Sequence, residues 1–362
     1  MAEVGARPKV STVRRKTLGA MRWLFTPLLP DDYIELINPL WSTQELRGRV
    51  ERLERQTEDA VTIVIKPGAD WDRHQPGQYL RIGVIVDGVH HWRAYSITSE
   101  PSDDYICITP KLVQEGKVSP HLTTELQPGT IIRLGGVEGD FKLPDPRPQK
   151  PLFISAGSGV TPIMSMVRAL DREDKLDDAV LVHSAHDEDD VIFGSFLQDL
   201  DERREGFRLH LQLTEKQGRI SPPDFEQICP DWRERETFLS GPSDMLDAME
   251  DYWEKEGDCE RLHMERFQPK VGLSEEGEGG EIKFLASDTT TEADGGTPIL
   301  VAGEEAGLTL KYGCREGICH TCTGTLCSGK VRDLRNGNVY GTEGETIRVC
   351  ISAPEGPVEV DL

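Results

Sequence analysis

The chain has 362 residues, 37% of them hydrophobic, and its 41 basic against 64 acidic residues give a formal net charge of −23. The length suits two or three domains, and the negative charge disfavours binding to a nucleic-acid backbone and favours a basic partner. No apolar run comes near the ~18 residues of a membrane span, and the composition excludes collagen-like and low-complexity proteins.

Residues 1–45 form a leader whose composition differs from that of the rest of the chain. Residues 1–30 hold six basic side chains against one acid, and apolar side chains recur there at helical spacing: Val10, Val13, Thr17, Ala20, Met21 and Leu24. A basic amphipathic helix can lie in a membrane interface, and it can equally pack against its own domain. Both alternatives stay open. Arg22 interrupts the apolar stretch, which disfavours a secretory signal.

Short alternating stretches separated by turns fill residues 46–146. Val61–Ile65, Tyr79–Ile82 and Ile131–Leu134 have the alternation that is typical of half-buried strands. Pro-Gly pairs, the first at 67–68, supply turns between them. This spacing predicts a small antiparallel β-barrel.

From residue 149 to 268 the pattern changes to apolar strands that alternate with helices. Leu152–Ser155 precedes a predicted helix over 162–171, and Ala179–Val182 precedes another over 191–200. Such alternation predicts a parallel, doubly wound α/β domain.

The segment at 269–280 is rich in glutamate and glycine, a composition typical of a solvated linker. It leads to a last domain over 281–362, which holds five of the eight cysteines. A cysteine cluster of this kind indicates metal binding and not a disulfide framework.

The spacing of these cysteines is Cys314-x4-Cys319-x2-Cys322, with Cys350 after a further 27 residues. This is the spacing of plant-type [2Fe–2S] sites, in which each of two irons takes two thiolates. A zinc site is the alternative, but zinc loops favour two Cys-x2-Cys pairs. Cys327 competes as the fourth ligand. Its surroundings are typical of a strand that leaves the loop, which favours Cys350.

The segment Lys311–Cys322 resembles the cluster loop of plant-type ferredoxins. The resemblance implies a β-grasp fold for residues 281–362 and the ligand set Cys314, Cys319, Cys322 and Cys350. His320 departs from the family pattern, which usually has a small residue at that position.

A second motif, Arg93-Ala-Tyr-Ser96, ends a predicted strand of the barrel. Its alternating residues offer a charge for a phosphate, a ring for stacking and a hydroxyl for a ring nitrogen, although an ordinary strand has the same composition. Gly116-Lys-Val-Ser119 follows where the first amides of a short helix would meet a pyrophosphate.

A third motif, Ser155–Pro162, directly follows a predicted strand. Gly157 and Gly159 permit close approach of the backbone, Thr161 is a good N-cap, and Pro162 suits the first helical position. A dinucleotide pyrophosphate fits over such a helix start.

Together these motifs resemble the ferredoxin–NADP reductase superfamily, with a ferredoxin domain added. The resemblance implies that Arg93 holds the flavin phosphate, Tyr95 covers the flavin and Ser96 approaches its N5 atom. It also implies a pyrophosphate site, which favours FAD over FMN, at Gly116, Val118 and Ser119. The implied fold has three parts, a flavin β-barrel, an NAD(P) α/β domain and a β-grasp ferredoxin.

The same resemblance assigns the turn with Gly157, Gly159 and Thr161 to NAD(P)H. Ser240-Gly241-Pro242 stands where the superfamily usually has Cys-Gly-Pro. The implied catalytic residues, around the contact of flavin and nicotinamide, are Ser96, Thr161 and Ser240.

The choice between NADPH and NADH depends on residues that face the 2′-phosphate. Ser184 and His186 occupy the place where the superfamily often presents Ser and Arg, and Arg219 lies on the next loop. These residues favour NADPH. Asp187–Asp190 would oppose it if their charges faced inward, but acids also suit a solvated helix start.

The segment Thr26–Trp41 resembles the leader of bacterial reductases that serve membrane acyl-CoA desaturases. The resemblance implies a cytoplasmic electron-transfer reductase, peripheral to the inner face of the membrane. It would pass electrons from NAD(P)H through FAD and the cluster to a membrane diiron desaturase. A reductase for a cytochrome P450 or a ring-hydroxylating oxygenase is the first alternative, and a redox sensor without turnover is the second.

Overall fold

The structure, a computed structural model, describes residues 38–42, 45–86, 88–114, 116–267, 277–308, 310–311, 317 and 322–362. Contacts divide the chain into two units, one ending at Arg266 and one running from Phe267 to Leu362. The leader up to residue 37 and the predicted ligands Cys314 and Cys319 lie outside the described residues.

An antiparallel sheet of six strands forms the first part of the first unit. The strands are β1 (Arg47–Arg55), β2 (Val61–Pro67), β3 (Tyr79–Val86), β4 (Val89–Ser96), β5 (Ile106–Ile108) and β6 (Ile131–Glu138). Their order is β4-β3-β6-β1-β2-β5, which leaves β4 at an edge. A short helix, α1 (Val118–Pro120), continues into a wider turn over His121–Glu125 and adds Val118 and Leu122 to the core. The predicted antiparallel β-barrel is confirmed.

A parallel sheet of five strands forms the second part of this unit. Its strands are β7 (Pro151–Ala156), β8 (Ala179–Ala185), β9 (Phe207–Leu213), β10 (Glu236–Ser240) and β11 (Leu262–Glu265), in the order β11-β10-β7-β8-β9. The helices are α2 (Val160–Arg172), α3 (Gly194–Arg203), α4 (Thr214–Gln217), α5 (Phe225–Ile228) and α6 (Ser243–Glu256). Every residue of β8 is buried because both faces of the sheet are covered. The predicted doubly wound domain is confirmed.

The two helices predicted from periodicity differ from the structure at their ends. The helix expected over 162–171 starts earlier and spans Val160–Arg172. The helix expected over 191–200 starts later, at Gly194, because Phe193 has a φ of 62° and stands in the left-handed region, which an α-helix cannot contain. A backbone angle of this kind leaves no periodic signal in the sequence.

The second unit has a mixed sheet with a helix packed on it. Its elements are β12 (Gly280–Phe284), β13 (Thr289–Ala293), α7 (Ile299–Glu305), β14 (Thr323–Ser328), β15 (Val331–Asp333), β16 (Val339–Tyr340), β17 (Glu345–Arg348), β18 (Ser352–Pro354) and β19 (Val358–Asp361). The main sheet has the order β13-β12-β19-β14-β17, with β12 and β19 parallel. Ile299 and Leu300 of α7 join Phe284 in its core. This arrangement confirms the predicted β-grasp domain.

The longest described helices are α6 and α2, with 14 and 13 residues. Within the described ranges, no helix is long and apolar enough to cross a membrane.

Candidate functional site

The predicted flavin residues lie at the end of the edge strand β4. Tyr95 is paired across the ladder with Leu80, and Arg93 with Ile82. Because directly paired residues share a face of the sheet, Arg93 and Tyr95 lie on the same face as these two core residues. Both remain partly exposed, whereas Ser96 is buried. A half-exposed ring and guanidinium beside a buried hydroxyl at a sheet edge fit a flat, phosphate-bearing cofactor.

The loop that precedes α1 holds the second set of predicted flavin residues. The Ser119 hydroxyl accepts a hydrogen bond from the Val113 amide at 3.1 Å, so it closes this loop. A Cβ atom on Gly116 would lie 3.1 Å from the Ser119 oxygen and from the Val113 carbonyl, which explains the glycine. Val118 is buried and α1 contacts β4, which brings this loop to the flavin strand. The pyrophosphate contact of Ser119 stays a prediction.

The predicted NAD(P) turn lies where β7 ends. Gly157 has a φ of 52°, which favours glycine, and a short turn over Gly157–Gly159 leads into α2. A Cβ atom on Gly159 would lie 2.2 Å from the carbonyl oxygen of Ser240, so only glycine lets the two backbones approach this closely. The Thr161 hydroxyl donates to the Ser158 carbonyl at 2.8 Å. The structure thus brings the turn and Ser240 together at the carboxyl ends of β7 and β10, where open α/β sheets bind nucleotides.

Ser240 has a buried hydroxyl that fits a ligand contact. Its residue is fully buried, and its Oγ has no hydrogen-bond partner within the described part of the chain. Thr237 on the same strand is in the same situation. Buried hydroxyls of native proteins usually have a partner, so Ser240 Oγ, at the carboxyl end of β10, is a candidate for contact with a bound group. Thr237 lies near the other end of the strand, away from the turn. Gly241 and Pro242 follow Ser240 directly, and Pro242 caps α6.

Glu265, which the sequence analysis did not identify, belongs to the same region. It ends β11 and is paired with Ser240 in the parallel ladder. Burial, followed by the charge of Asp140, raises the pKa of Glu265 to about 7. Its charge also contributes, after burial and Glu138, to raising the pKa of Tyr79 to about 12. Tyr79 is in turn paired with Ser96 in the antiparallel ladder of β3 and β4.

A buried hydrogen bond lies beneath the NAD(P) turn. Ser155 Oγ and His183 Nδ1 are 2.9 Å apart, on adjacent strands at paired positions. Burial lowers the pKa of His183 to about 4, so its ring is neutral near pH 7. This pair leaves no local motif in the sequence, because its hydroxyl and its imidazole lie on separate strands.

The residues predicted to select NADPH are divided between two places. Ser184 is buried and is paired with Ala156, next to the turn, whereas His186 is exposed at the end of β8. Arg219 is exposed, 3.9 Å from the Asp244 carboxylate at the start of α6. The Asp187 carboxylate accepts hydrogen bonds from the amides of Asp189 and Asp190, at 2.9 and 3.1 Å, so it faces its own loop.

The second unit contains the two described ligand candidates, Cys322 and Cys350. Both are buried, and the amide of Val349 donates to the Cys322 carbonyl at 3.0 Å, which fixes the two segments side by side. Cys327 lies further along β14 and is only partly buried. No group of three or more metal-ligating side chains occurs in the described ranges, which leave out Cys314 and Cys319. The two buried thiols fit a cluster.

Between Cys314 and Cys319 the structure describes Gly317, which is held by a hydrogen bond from Arg348. Arg348 donates to its carbonyl oxygen at 2.6 Å. Gly317 has a φ of 70°, and a Cβ atom there would lie 2.5 Å from the Ile351 side chain. Both facts explain the glycine between the first and second predicted ligands, Cys314 and Cys319.

Comparison with known protein families gives three matches in succession. Residues 69–143 match the oxidoreductase FAD-binding domain, residues 153–251 the oxidoreductase NAD-binding domain, and residues 283–355 the 2Fe-2S iron–sulfur cluster binding domain. FAD, NAD(P)H and a [2Fe–2S] cluster are therefore the cofactors of this chain.

Curated relatives and solved structures share the whole arrangement. An NADPH oxidoreductase of Mycobacterium tuberculosis is 44% identical over 93% of this chain and 90% of its own length. A glycine betaine monooxygenase reductase subunit of Pseudomonas aeruginosa is 31% identical over 79% of this chain and 87% of its own. The structure of phthalate dioxygenase reductase aligns with a TM-score of 0.59 at 20% identity, covering 87% of this chain and 97% of that one.

Proposed function

The chain belongs to the family of NAD(P)H-dependent oxidoreductases that combine an FAD-binding, an NAD-binding and a 2Fe-2S domain, and from this premise we propose that it is the reductase component of an oxygenase system. The observation that carries the proposal is the meeting of the two nucleotide half-sites. Ser240 lies against the NAD(P) turn, from which α2 begins. Ser165 and Arg168 of α2 donate hydrogen bonds to the carbonyls of the segment that directly follows Ser96, at 2.9 and 2.6 Å.

Each group of residues has a role in this proposal. Arg93 binds the flavin phosphate, Tyr95 covers the flavin, and Ser96 orients it. The turn from Gly157 to Thr161 binds the pyrophosphate of NAD(P)H, and Ser240 supplies a hydroxyl where the nicotinamide enters. FAD supplies the exchange between a two-electron hydride donor and a one-electron cluster. Glu265, with its pKa raised to about 7, can hold or release a proton there near neutral pH.

The terminal partner is proposed to be an oxygenase. Support comes from the monooxygenase reductase subunit at 31% identity, which the chain matches through all three domains. The electron donor is proposed to be NADPH, supported by the relative named NADPH oxidoreductase, by Ser184 beside the turn and by Arg219 at the start of α6. A cytochrome P450 would receive electrons from the same three domains, so it is included as a possible acceptor in the experiment described below.

A membrane acyl-CoA desaturase is the second candidate partner. The match to the NADPH oxidoreductase covers 93% of this chain, which leaves out fewer residues than the 1–45 leader contains. Part of the leader is therefore shared with that relative. The shared part supports a function for the leader, which the desaturase proposal supplies.

We expect the full chain, loaded with FAD and cluster, to reduce cytochrome c at the expense of NADPH over many turnovers per flavin. NADPH should give a higher kcat/KM than NADH. The same preparation is then mixed with a purified ring-hydroxylating oxygenase, a P450 or a vesicle-bound desaturase, and product is measured against NADPH consumed. Bound cofactors with negligible cytochrome c reduction would indicate a sensor and contradict the proposal.

The leader should give the chain weak, salt-sensitive affinity for anionic membranes. Each basic residue near such a surface contributes about 1 kcal/mol, and residues 1–30 carry six of them against one acid. The measurement is sedimentation with anionic liposomes at low and high salt, for the full chain and for one lacking residues 1–25. Equal sedimentation of both, with cytochrome c reduction intact, would make the leader a packing element.

A further inference from the structure

One face of α2 connects the NAD(P) turn to the flavin strand. This helix starts at the turn, and its residues Ser165 and Arg168, three positions apart, lie on the same side. The Ser165 hydroxyl donates to the Ser99 carbonyl at 2.9 Å, and Arg168 Nη1 donates to the Thr98 carbonyl at 2.6 Å. Thr98 follows Ser96 by two residues. A short, continuous path of contacts therefore joins the predicted flavin and nicotinamide residues.

The segment that receives these bonds is fixed from the barrel side as well. His74 Nε2 donates to the same Ser99 carbonyl at 3.0 Å, and the Cys107 amide donates to Ser99 Oγ at 3.0 Å. Thr98, Ser99 and Ser165 are at most 1% exposed. Since buried polar groups are costly to leave without partners, this segment and α2 hold one relative position.

Arg168 also reaches a third element. Its guanidinium lies over the rings of Phe193 and Phe196, with its carbon 5.2 and 5.1 Å from the ring centroids. Both rings follow the loop that begins at Ser184 and His186, the residues predicted to face the 2′-phosphate. Arg168, on the helix that begins at the NAD(P) turn, thus contacts the segment just after the flavin strand and the two rings at the start of α3.

An arginine at this place is not explained by stability alone. Burial lowers the pKa of Arg168, which shows that the site disfavours its charge. No carboxylate of the described residues lies within ion-pair distance of it, although the charges of Asp103 and Glu54 attract it from further away. Its direct contacts are one carbonyl oxygen and two aromatic rings. A methionine would fill much of the same volume against the rings without the cost of a buried charge. What a methionine cannot provide is a directed hydrogen bond to the buried Thr98 carbonyl.

We propose that Arg168 is a positioning residue for hydride transfer, setting the distance between the nicotinamide and the flavin. In this step the C4–H bond of NAD(P)H breaks, and the hydrogen moves with its electron pair to flavin N5, which oxidises the nicotinamide and reduces the flavin. The proposal rests on the assignment of Ser96 and Thr161 to the two cofactors. Arg168 itself touches neither reacting atom and acts through Thr98 and the start of α2.

The test compares Arg168→Met and Arg168→Lys with Arg172→Met in the full, cofactor-loaded chain. Arg172 lies one turn further on and pairs with Glu100 at 3.3 Å, but its side chain is 61% exposed, so its removal should change little. Flavin reduction by saturating NADPH is followed anaerobically by stopped flow, together with the long-wavelength charge-transfer absorption of the nicotinamide–flavin pair.

Arg168→Met should keep its FAD and its affinity for NADPH, lose charge-transfer absorption, and reduce flavin about 10- to 100-fold more slowly, since small misplacements have effects of this size. Arg168→Lys should recover part of the rate, because its ammonium can still donate to Thr98. If Arg168→Met does not retain flavin, Arg168→Lys is compared with the wild type instead.

The proposal would be overturned if flavin reduction in Arg168→Met stayed within twofold of the wild-type rate. It would also be overturned if Arg172→Met lost as much of that rate as Arg168→Met. If the wild-type flavin is not reduced by NADPH or NADH at all, the proposed function itself fails, and the two results are distinguishable.

Discussion

Replacing Cys350 by serine is expected to remove most of the visible iron–sulfur absorption and to stop cytochrome c reduction. The thiol is buried beside Cys322, and a serine oxygen is a poor ligand for this metal because iron–sulfur clusters select soft thiolates. The loss should exceed the roughly 10- to 100-fold effect of removing an outer partner of a metal ligand. NAD(P)H-to-ferricyanide activity should persist, because it needs only the flavin. The measurements are the absorption spectrum, iron content and both steady-state rates.

Cys327→Ser is the matched control for this prediction. Cys327 lies in the same domain, on β14, and is only partly buried, with its Sγ 3.7 Å from the Thr325 carbonyl oxygen. Its replacement should leave cluster and activity in place. Loss of the cluster in Cys327→Ser and its retention in Cys350→Ser would reverse the assignment of the fourth ligand.

Arg93→Ala is expected to release FAD. A charge-assisted hydrogen bond to a phosphate contributes about 1.5–3 kcal/mol, so the Kd for FAD should rise about 10- to 100-fold. Arg93 is partly exposed on β4 and, among the described residues, donates only to the Trp92 carbonyl, at 2.9 Å. Its removal therefore leaves no buried group of this part of the chain unsatisfied. The domain should therefore stay folded. The measurements are the flavin-to-protein absorbance ratio after purification and a fluorescence titration with FAD.

Ser96→Ala separates flavin binding from flavin reduction. Ser96 is on the same strand, buried, and predicted to lie near the reacting nitrogen and not near the phosphate. This variant should keep FAD and reduce it more slowly. An Arg93→Ala protein that purifies fully yellow, with an FAD titration like that of the wild type, would refute the phosphate role.

The sequence determined the parts of this protein that are local along the chain. The strand ending at Ser96, the glycine turn at 157–159 and the loop with the first three cysteines each depend on residues within a few positions of one another, and Cys350 follows at a set spacing. These motifs and the family they resemble indicated three cofactors. The spacing of apolar residues indicated the barrel and the α/β domain, because a period of two or of 3.6 is imposed by the element itself. The β-grasp domain was predicted from the resemblance of the cysteine loop to that of ferredoxins. The family matches confirm both.

Only the tertiary structure decided which of these parts meet. Glu265 lies in the nicotinamide region because β11 runs parallel to β10 and pairs it with Ser240. Its pKa is raised by burial in the folded domain, which its neighbours in the sequence do not determine. In the sequence, Arg168 is one of the polar residues of an amphipathic helix. In the structure it donates a hydrogen bond to the carbonyl of Thr98, 70 positions away. Long-range pairings of this kind follow from the packing of one domain's helix on another domain's loop. The hydrophobic pattern of the sequence carries no information on that packing, because each of the two segments has its own local periodicity and neither depends on the other.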